Sequence, residues 1–142
     1  MPSRTTSTAA LVDTSVAVPL LVADHPSHGT VIRAAQGARW GLAGHAAFET
    51  FSVLTRLPAP ARRGPKAVQR LLADNFPATR YLGERATSAL LERLAGLDIA
   101  GGAVYDALVG ATAAHHDLLL LTRDRRAADT YRALDVRFDL LD

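Results

Sequence analysis

The sequence predicts a single α/β domain built on a parallel sheet of four to five strands, with helices on both faces. Three observations carry that expectation. Ala9-Ala10-Leu11-Val12 and Leu118 to Leu121 are short, continuously apolar runs of the kind found in strands buried on both sides. Such runs alternate with longer stretches of helical period, the order expected of a sheet fed by crossover helices. The 142 residues hold one core, with neither an internal repeat nor a linker long enough to divide them, so one domain is assigned to 1–142.

Met1 to Thr8 precedes the first strand as an N-terminal extension. After Val12 a helix is expected from Ser15 to Ala23, capped by Thr14 or Ser15, with Pro19 tolerable only in its first turn. Pro26 to Gln36 reads as a second helix closed by Gly37, and Trp40 to Ala43 as a short strand. A helix from about His45 to Leu57 follows, then a turn bracketed by Pro58-Ala59-Pro60 and Gly64-Pro65, then a helix from Lys66 to Asn75. Thr79 to Leu82 is a weak third strand, and Glu84 to Leu97 an amphipathic helix whose stripe is Leu90, Leu91, Leu94 and Leu97. Gly101-Gly102 opens a helix to His115, Leu118 to Leu121 is the clearest strand, Asp124 to Leu134 a helix, and Val136 to Leu140 a last strand.

Composition excludes several classes at once. Apolar residues at 49% and charged residues at 21% are ordinary for a globular chain, not for a disordered or coiled-coil one. With no cysteine there is no disulfide scaffold, thiolate zinc site, iron–sulfur cluster or cysteine nucleophile. The longest apolar run, Val16 to Ala23, contains Pro19 and is well short of the roughly twenty residues a membrane span needs. Asp13 interrupts the only stretch resembling a signal peptide, so a cytoplasmic protein is expected. The formal charge is +2 and nearly every base is arginine, which suits an anionic partner but follows equally from genome composition.

The position of the acids is more telling than their number. Asp13 is the only charged residue between Arg4 and Asp24, at the end of the first strand. Glu49 is the only one between Arg39 and Arg56, and Asp106 stands alone between Asp98 and Asp117 in a helix apolar on every side. Asp124 follows the four-leucine strand directly. A lone carboxylate on an interior helix costs several kcal/mol or more unless it is paired or bound to metal. Ligand sites of open α/β sheets lie at the carboxyl ends of strands, where Asp13 and Asp124 fall. Each acid also has a structural reading: Asp13 and Asp124 as helix caps, Asp106 against a helix dipole, Glu49 facing water. If all four converge, the cluster repels itself unless a divalent cation neutralises it, and all-oxygen ligation suits Mg²⁺ or, as a substitute, Mn²⁺.

Leu11-Val12-Asp13-Thr14-Ser15, the Phe48-Glu49 helix, Tyr105-Asp106-Ala107-Leu108-Val109-Gly110-Ala111-Thr112-Ala113 and Leu121-Thr122-Arg123-Asp124 together resemble the four acidic blocks of PIN domains. More narrowly, the chain is similar to the toxin ribonucleases of VapBC toxin–antitoxin pairs. That resemblance implies a PIN-like three-layer fold, Mg²⁺-dependent cleavage of RNA, a homodimer, and inhibition by a small VapB-like antitoxin. Two departures stand out: the long lead-in before the first strand, and the additional acid Asp129.

Four carboxylates support metal-assisted phosphodiester hydrolysis, with Asp13 and Asp106 as direct metal ligands and Asp124 and Glu49 binding directly or through water. Thr14 and Thr122 are candidates for orienting carboxylates or water, and Ser15 reads as a helix cap, not a nucleophile. Arg123, Arg125 and Arg126 around Asp124, and the run Arg62, Arg63, Lys66 and Arg70, are candidate RNA-backbone contacts. Trp40, Tyr81 and Tyr105 are too scattered for a stacking platform and are assigned to the core. His45 with Glu49, and His115-His116, lack the third nitrogen ligand of a zinc site, and no nucleotide-binding loop is present. Competing readings are a phosphatase, which needs an acid where Ser15 stands, a receiver domain, which needs a strand-end lysine, and a PIN-like module that binds RNA or protein without cutting.

Overall fold

The computed structural model describes residues 8–142, so the N-terminal extension, apart from Thr8, lies outside the described residues. Strands β1 (Ala9–Val12), β2 (Arg39–Leu42), β3 (Leu119–Thr122) and β4 (Phe138–Leu140) form one sheet in the order β2-β1-β3-β4. Every pairing is parallel, with Val12 opposite both Leu42 and Leu121. Helices α1 (Thr14–Leu21), α2 (His28–Ala35), α3 (His45–Thr55), α4 (Pro65–Asn75), α5 (Glu84–Gly96), α6 (Ala103–His115) and α7 (Ala128–Ala133) cover both faces.

Because side chains alternate along a strand, the sheet separates two cores. Leu11 and Leu120 face one way, into α5, α6 and α7 with Leu90, Leu94, Ala107, Val109 and Tyr131. Val12 and Leu121 face the other, against Val16, Ala17, Val31 and Phe76 from the α1, α2 and α4 side. Both runs read as continuously apolar because each face has its own helix layer.

The structure departs from the sequence expectation at several elements. Thr79 to Leu82 forms no strand; only an isolated parallel bridge joins Ala43 to Arg80. The segment lies along the edge of β2, with Ala78 N–H donating to the Trp40 carbonyl, Arg80 N–H to the Leu42 carbonyl and Gly44 N–H to the Arg80 carbonyl, but the Thr79 hydroxyl takes the Leu42 N–H and the pairing stays a single bridge. Gly41 permits this approach, since a Cβ there would lie 2.1 Å from the Ala78 carbonyl carbon. In α1, Pro19 sits beyond the first turn. The Ser15 carbonyl, which a residue with an N–H at position 19 would have engaged, receives the Arg123 guanidinium at 3.5 Å instead. Leu91 is exposed although Leu90 and Leu94 are buried. The helix expected from Asp124 divides into a 3₁₀ turn (Arg125–Ala127) and α7.

Candidate active site

Asp13 continues β1 in extended conformation before capping α1, so its side chain falls on the Leu11 face of the sheet. By the same alternation Thr122 shares the face of Leu120. The two side chains therefore meet at the carboxyl edge of neighbouring strands, beneath α6 and α7, at the point where crossovers from the central strand diverge.

Both Asp13 oxygens are fully engaged. Oδ1 accepts from the Ser15 N–H at 3.1 Å and the Ser15 hydroxyl at 2.5 Å. Oδ2 accepts from the Thr122 hydroxyl at 2.5 Å and the Tyr131 hydroxyl at 2.9 Å. The backbone fixes the direction of two of these donors. Arg123 N–H donates to Ser15 Oγ at 2.7 Å and Asp124 N–H to Thr122 Oγ1 at 3.0 Å, so each hydroxyl accepts from a peptide and donates to the carboxylate. Burial pushes the Asp13 carboxyl above its ordinary range, opposed by the Ser15, Thr122 and Tyr131 hydrogen bonds. Burial and the neighbouring Asp13 charge raise the Tyr131 phenol as well, which keeps it a proton donor. The Tyr131 ring lies against Gly110 of α6, where an added Cβ would come within 2.8 Å of it.

Above this pocket the other acids form a more open rim. Asp106, in the first turn of α6, is pushed up to about 6 by partial burial and then by Asp124, Glu49 and Asp13, with Arg126 opposing. Glu49 lies one turn beyond His45 on α3 and is raised by desolvation and by Asp13, with His45 opposing. Asp124 caps the 3₁₀ turn through Arg126 N–H at 3.0 Å and pairs with Arg126 Nε at 3.5 Å. Asp106 thus feels the charges of Asp124, Glu49 and Asp13, and Glu49 that of Asp13, so the four acids stand near one another at this edge of the sheet. Among the described residues, no three Asp, Glu or His side chains close around a common point as a preformed metal cage. The donor set is nonetheless all carboxylate oxygen, as hard divalent cations prefer. Glu49 and Asp106 have no hydrogen-bond partner among the described residues, so their lone pairs are free for such an ion.

The remaining predicted residues separate. Thr14 donates to the Ala46 carbonyl and accepts from Thr50, linking α1 to α3 without touching a carboxylate. Arg123 turns inward, bonding Ser15 O and Ser27 Oγ, with its Nε buried and unpartnered. Arg125 pairs with Asp142 on the surface, while Arg126 overhangs Asp124. Arg62 and Arg63 bond backbone carbonyls of the α3–α4 loop. Arg63 and its neighbours Pro60 and Ala61 border the far end of α1 with Leu21 and Asp24, roughly 12 Å along the helix from Asp13. Asp129 is exposed and paired with Arg132. Trp40 is in the core as expected, but Tyr81 and Tyr105 are exposed. Tyr131 was not anticipated, and neither was the Ser15 hydroxyl as an Asp13 donor. The one sequence signal for Tyr131 is an interior-helix glycine at 110 that helix propensity disfavours.

Comparison with known proteins matches this geometry to a family. The PIN domain profile matches residues 10–133. The chain is 50% identical over 125 residues to ribonuclease VapC27 of Mycobacterium tuberculosis, covering 88% of this chain and 91% of that protein. Its fold is similar to the crystal structure of Mycobacterium tuberculosis VapC20, a sarcin-ricin loop cleaving toxin, with TM-score 0.67 and 20% identity over 86% of this chain and 94% of that one. It is similar also to VapBC2 of Rickettsia felis bound to a DNA fragment from its promoter, with TM-score 0.67 and 12% identity over 95% and 100% of the two chains. The chain belongs to the PIN-domain family, in the branch that holds the VapC ribonucleases.

Proposed function

We propose that this protein is a Mg²⁺-dependent endoribonuclease, the toxin of a toxin–antitoxin pair, which hydrolyses RNA phosphodiester bonds. The observation that carries the reading is that Asp106 feels the charges of Asp13, Glu49 and Asp124 beside the carboxyl edge of the sheet, in a chain half identical to a named ribonuclease.

Asp106, Asp124 and Glu49 retain lone pairs that would hold a divalent cation. Asp13, with both oxygens engaged, would release one hydroxyl to join them. A bound Mg²⁺ or Mn²⁺ supplies an acidified water and charge neutralisation for the scissile phosphate. The chain's own part is to hold that chemistry still: Ser15, Thr122 and Tyr131 fix the Asp13 carboxylate, and the remaining acids weaken, without abolishing, the approach of a phosphate until their charge is met. Arg126, already over Asp124, is a phosphate contact that supplies affinity without sequence choice.

The protein is cytoplasmic on this reading; among the described residues no helix is long and apolar enough to cross a membrane. It acts as a homodimer. Its inhibitor is a small VapB-like antitoxin that would set a basic side chain among the carboxylates. The test is cleavage of single-stranded RNA by purified protein, dependent on Mg²⁺ or Mn²⁺, stopped by chelator and lost in Asp13→Asn. Absence of cleavage by the wild type with either metal overturns the reading.

A further inference from the structure

Aromatic side chains that the core does not use stand next to the acids in the chain, Phe48 before Glu49 and Tyr105 before Asp106. Tyr105 is 53% exposed, Phe48 68% and Tyr81 54%. Two rings are already stacked: the His45 imidazole lies on the Tyr105 phenol with centroids 4.9 Å apart and planes 19° from parallel. This pair bridges the N-terminal ends of α3 and α6, which also carry acids. Glu49 follows His45 by one helical turn on the same face, and Asp106 is the residue after Tyr105. Aromatic pair and carboxylate pair are thus carried by the same two helices, and the Glu49 charge acts on Asp106. His45, Phe48 and Tyr81 line one hollow beside the stack.

We propose that the His45–Tyr105 stack is a nucleobase platform, which holds the unstacked base of a nucleotide next to the scissile phosphate of single-stranded RNA. The inference rests on the ribonuclease reading above and adds a substrate feature to it. Its physical reason is electrostatic. Four carboxylates repel the RNA backbone where it must come closest, so binding there needs a contribution indifferent to phosphate charge. Stacking on an aromatic face is such a contribution, and it selects for unpaired bases because paired ones are already stacked. A phosphate brought to Asp106 carries its base within reach of the neighbouring residue, Tyr105.

The test is fluorescence anisotropy in chelator, so that nothing is cleaved, with a short labelled single-stranded RNA of mixed sequence and an abasic oligomer of the same length. Tyr105→Ala is expected to weaken binding of the RNA by roughly 5- to 150-fold, with Tyr105→Phe and Tyr105→Trp within about twofold of wild type. His45→Ala, which removes the supporting ring, weakens it in the same direction. The abasic oligomer binds wild type and Tyr105→Ala alike, and the slope of affinity against salt is unchanged, unlike the loss of an arginine–phosphate contact. Equal affinity of Tyr105→Ala and wild type for the RNA overturns the platform, as does an equal loss in Tyr105→Phe. Light scattering on the same variants provides another arm: a changed oligomeric state in Tyr105→Ala with RNA affinity intact assigns the surface to a second copy of the chain and overturns the proposal. Wild type that binds the RNA through Tyr105 but never cuts it with Mg²⁺ overturns the ribonuclease reading and leaves the platform standing.

Discussion

Asp13 and Asp106 feel each other's charge yet are built in opposite ways. Asp13 is buried, held by four hydrogen bonds that the chain supplies from β3, α1 and α7. Asp106 is half-exposed, has no hydrogen-bond partner among the described residues, and meets three other acids against the single opposing charge of Arg126. The first carboxylate is part of the fold. The second has no such support, and partial burial together with the neighbouring acids raises its affinity for a proton.

The largest expected effect separates them directly. Asp13→Ala should destabilise the protein by about 3 kcal/mol in urea unfolding, because it orphans the Ser15, Thr122 and Tyr131 donors in a buried pocket. Asp106→Ala should leave stability unchanged or raise it. Both variants should lose more than about 100-fold in RNA cleavage. Equal losses of stability would break the comparison.

Metal should act through the open rim. Mg²⁺ at ten times its dissociation constant is expected to stabilise the wild type by about 1.4 kcal/mol, read as a rise in Tm. Asp106→Asn should remove that rise, and if it does not, the rim is not where the cation binds.

A smaller change probes the pocket. Tyr131→Phe keeps the ring and loses one donor of four, so about 1 kcal/mol of stability and a 10- to 100-fold fall in kcat with KM unchanged are expected, from roughly the worth of one hydrogen bond and of an orienting contact to a ligand carboxylate. Loss of stability alone would make Tyr131 a packing residue.

The smallest effect is a pH slope. Asp106 titrates at about 6 in the folded chain against an ordinary 3.8, so between those values the folded state holds more proton than the unfolded one. Metal-free protein should therefore gain stability as pH falls from 7 through 6 toward 4, by an amount reduced by the solvent screening of a half-exposed group. Asp106→Asn should flatten that part of the curve, measured as Tm against pH.

The sequence disclosed Asp13, Glu49 and Asp106 because each interrupts an apolar run, and Asp124 because it comes just after one, a local contrast that needs no knowledge of the fold. The strands β1 and β3 were as plain, since continuous apolarity marks a strand buried on both sides. What stayed hidden depends on contacts distant in sequence. Nothing in Thr130-Tyr131-Arg132 marks a phenol that reaches Asp13 from 118 positions away. Arg123 reads as a basic surface residue until its guanidinium is seen to turn inward onto Ser27 Oγ, beside the Ser15 carbonyl that Pro19 leaves free. Thr79 to Leu82 has the composition of a strand, yet a threonine hydroxyl replaces the backbone acceptor that would have extended it. Tyr105 looks like core material because its neighbours are apolar, but exposure is decided by where α6 meets α3.

The relay through Ser15 and Thr122 carries a consequence for mutational tolerance. At each position one oxygen atom must accept a proton from a peptide N–H and give its own to Asp13. Only a hydroxyl does both at a single atom on so short a side chain, because an amide divides the two roles between two atoms and a carboxylate has no proton to give. Ser↔Thr exchange should thus be the narrow channel of neutral drift at these two positions. Valine at 122, nearly the same shape as threonine, should lie outside it.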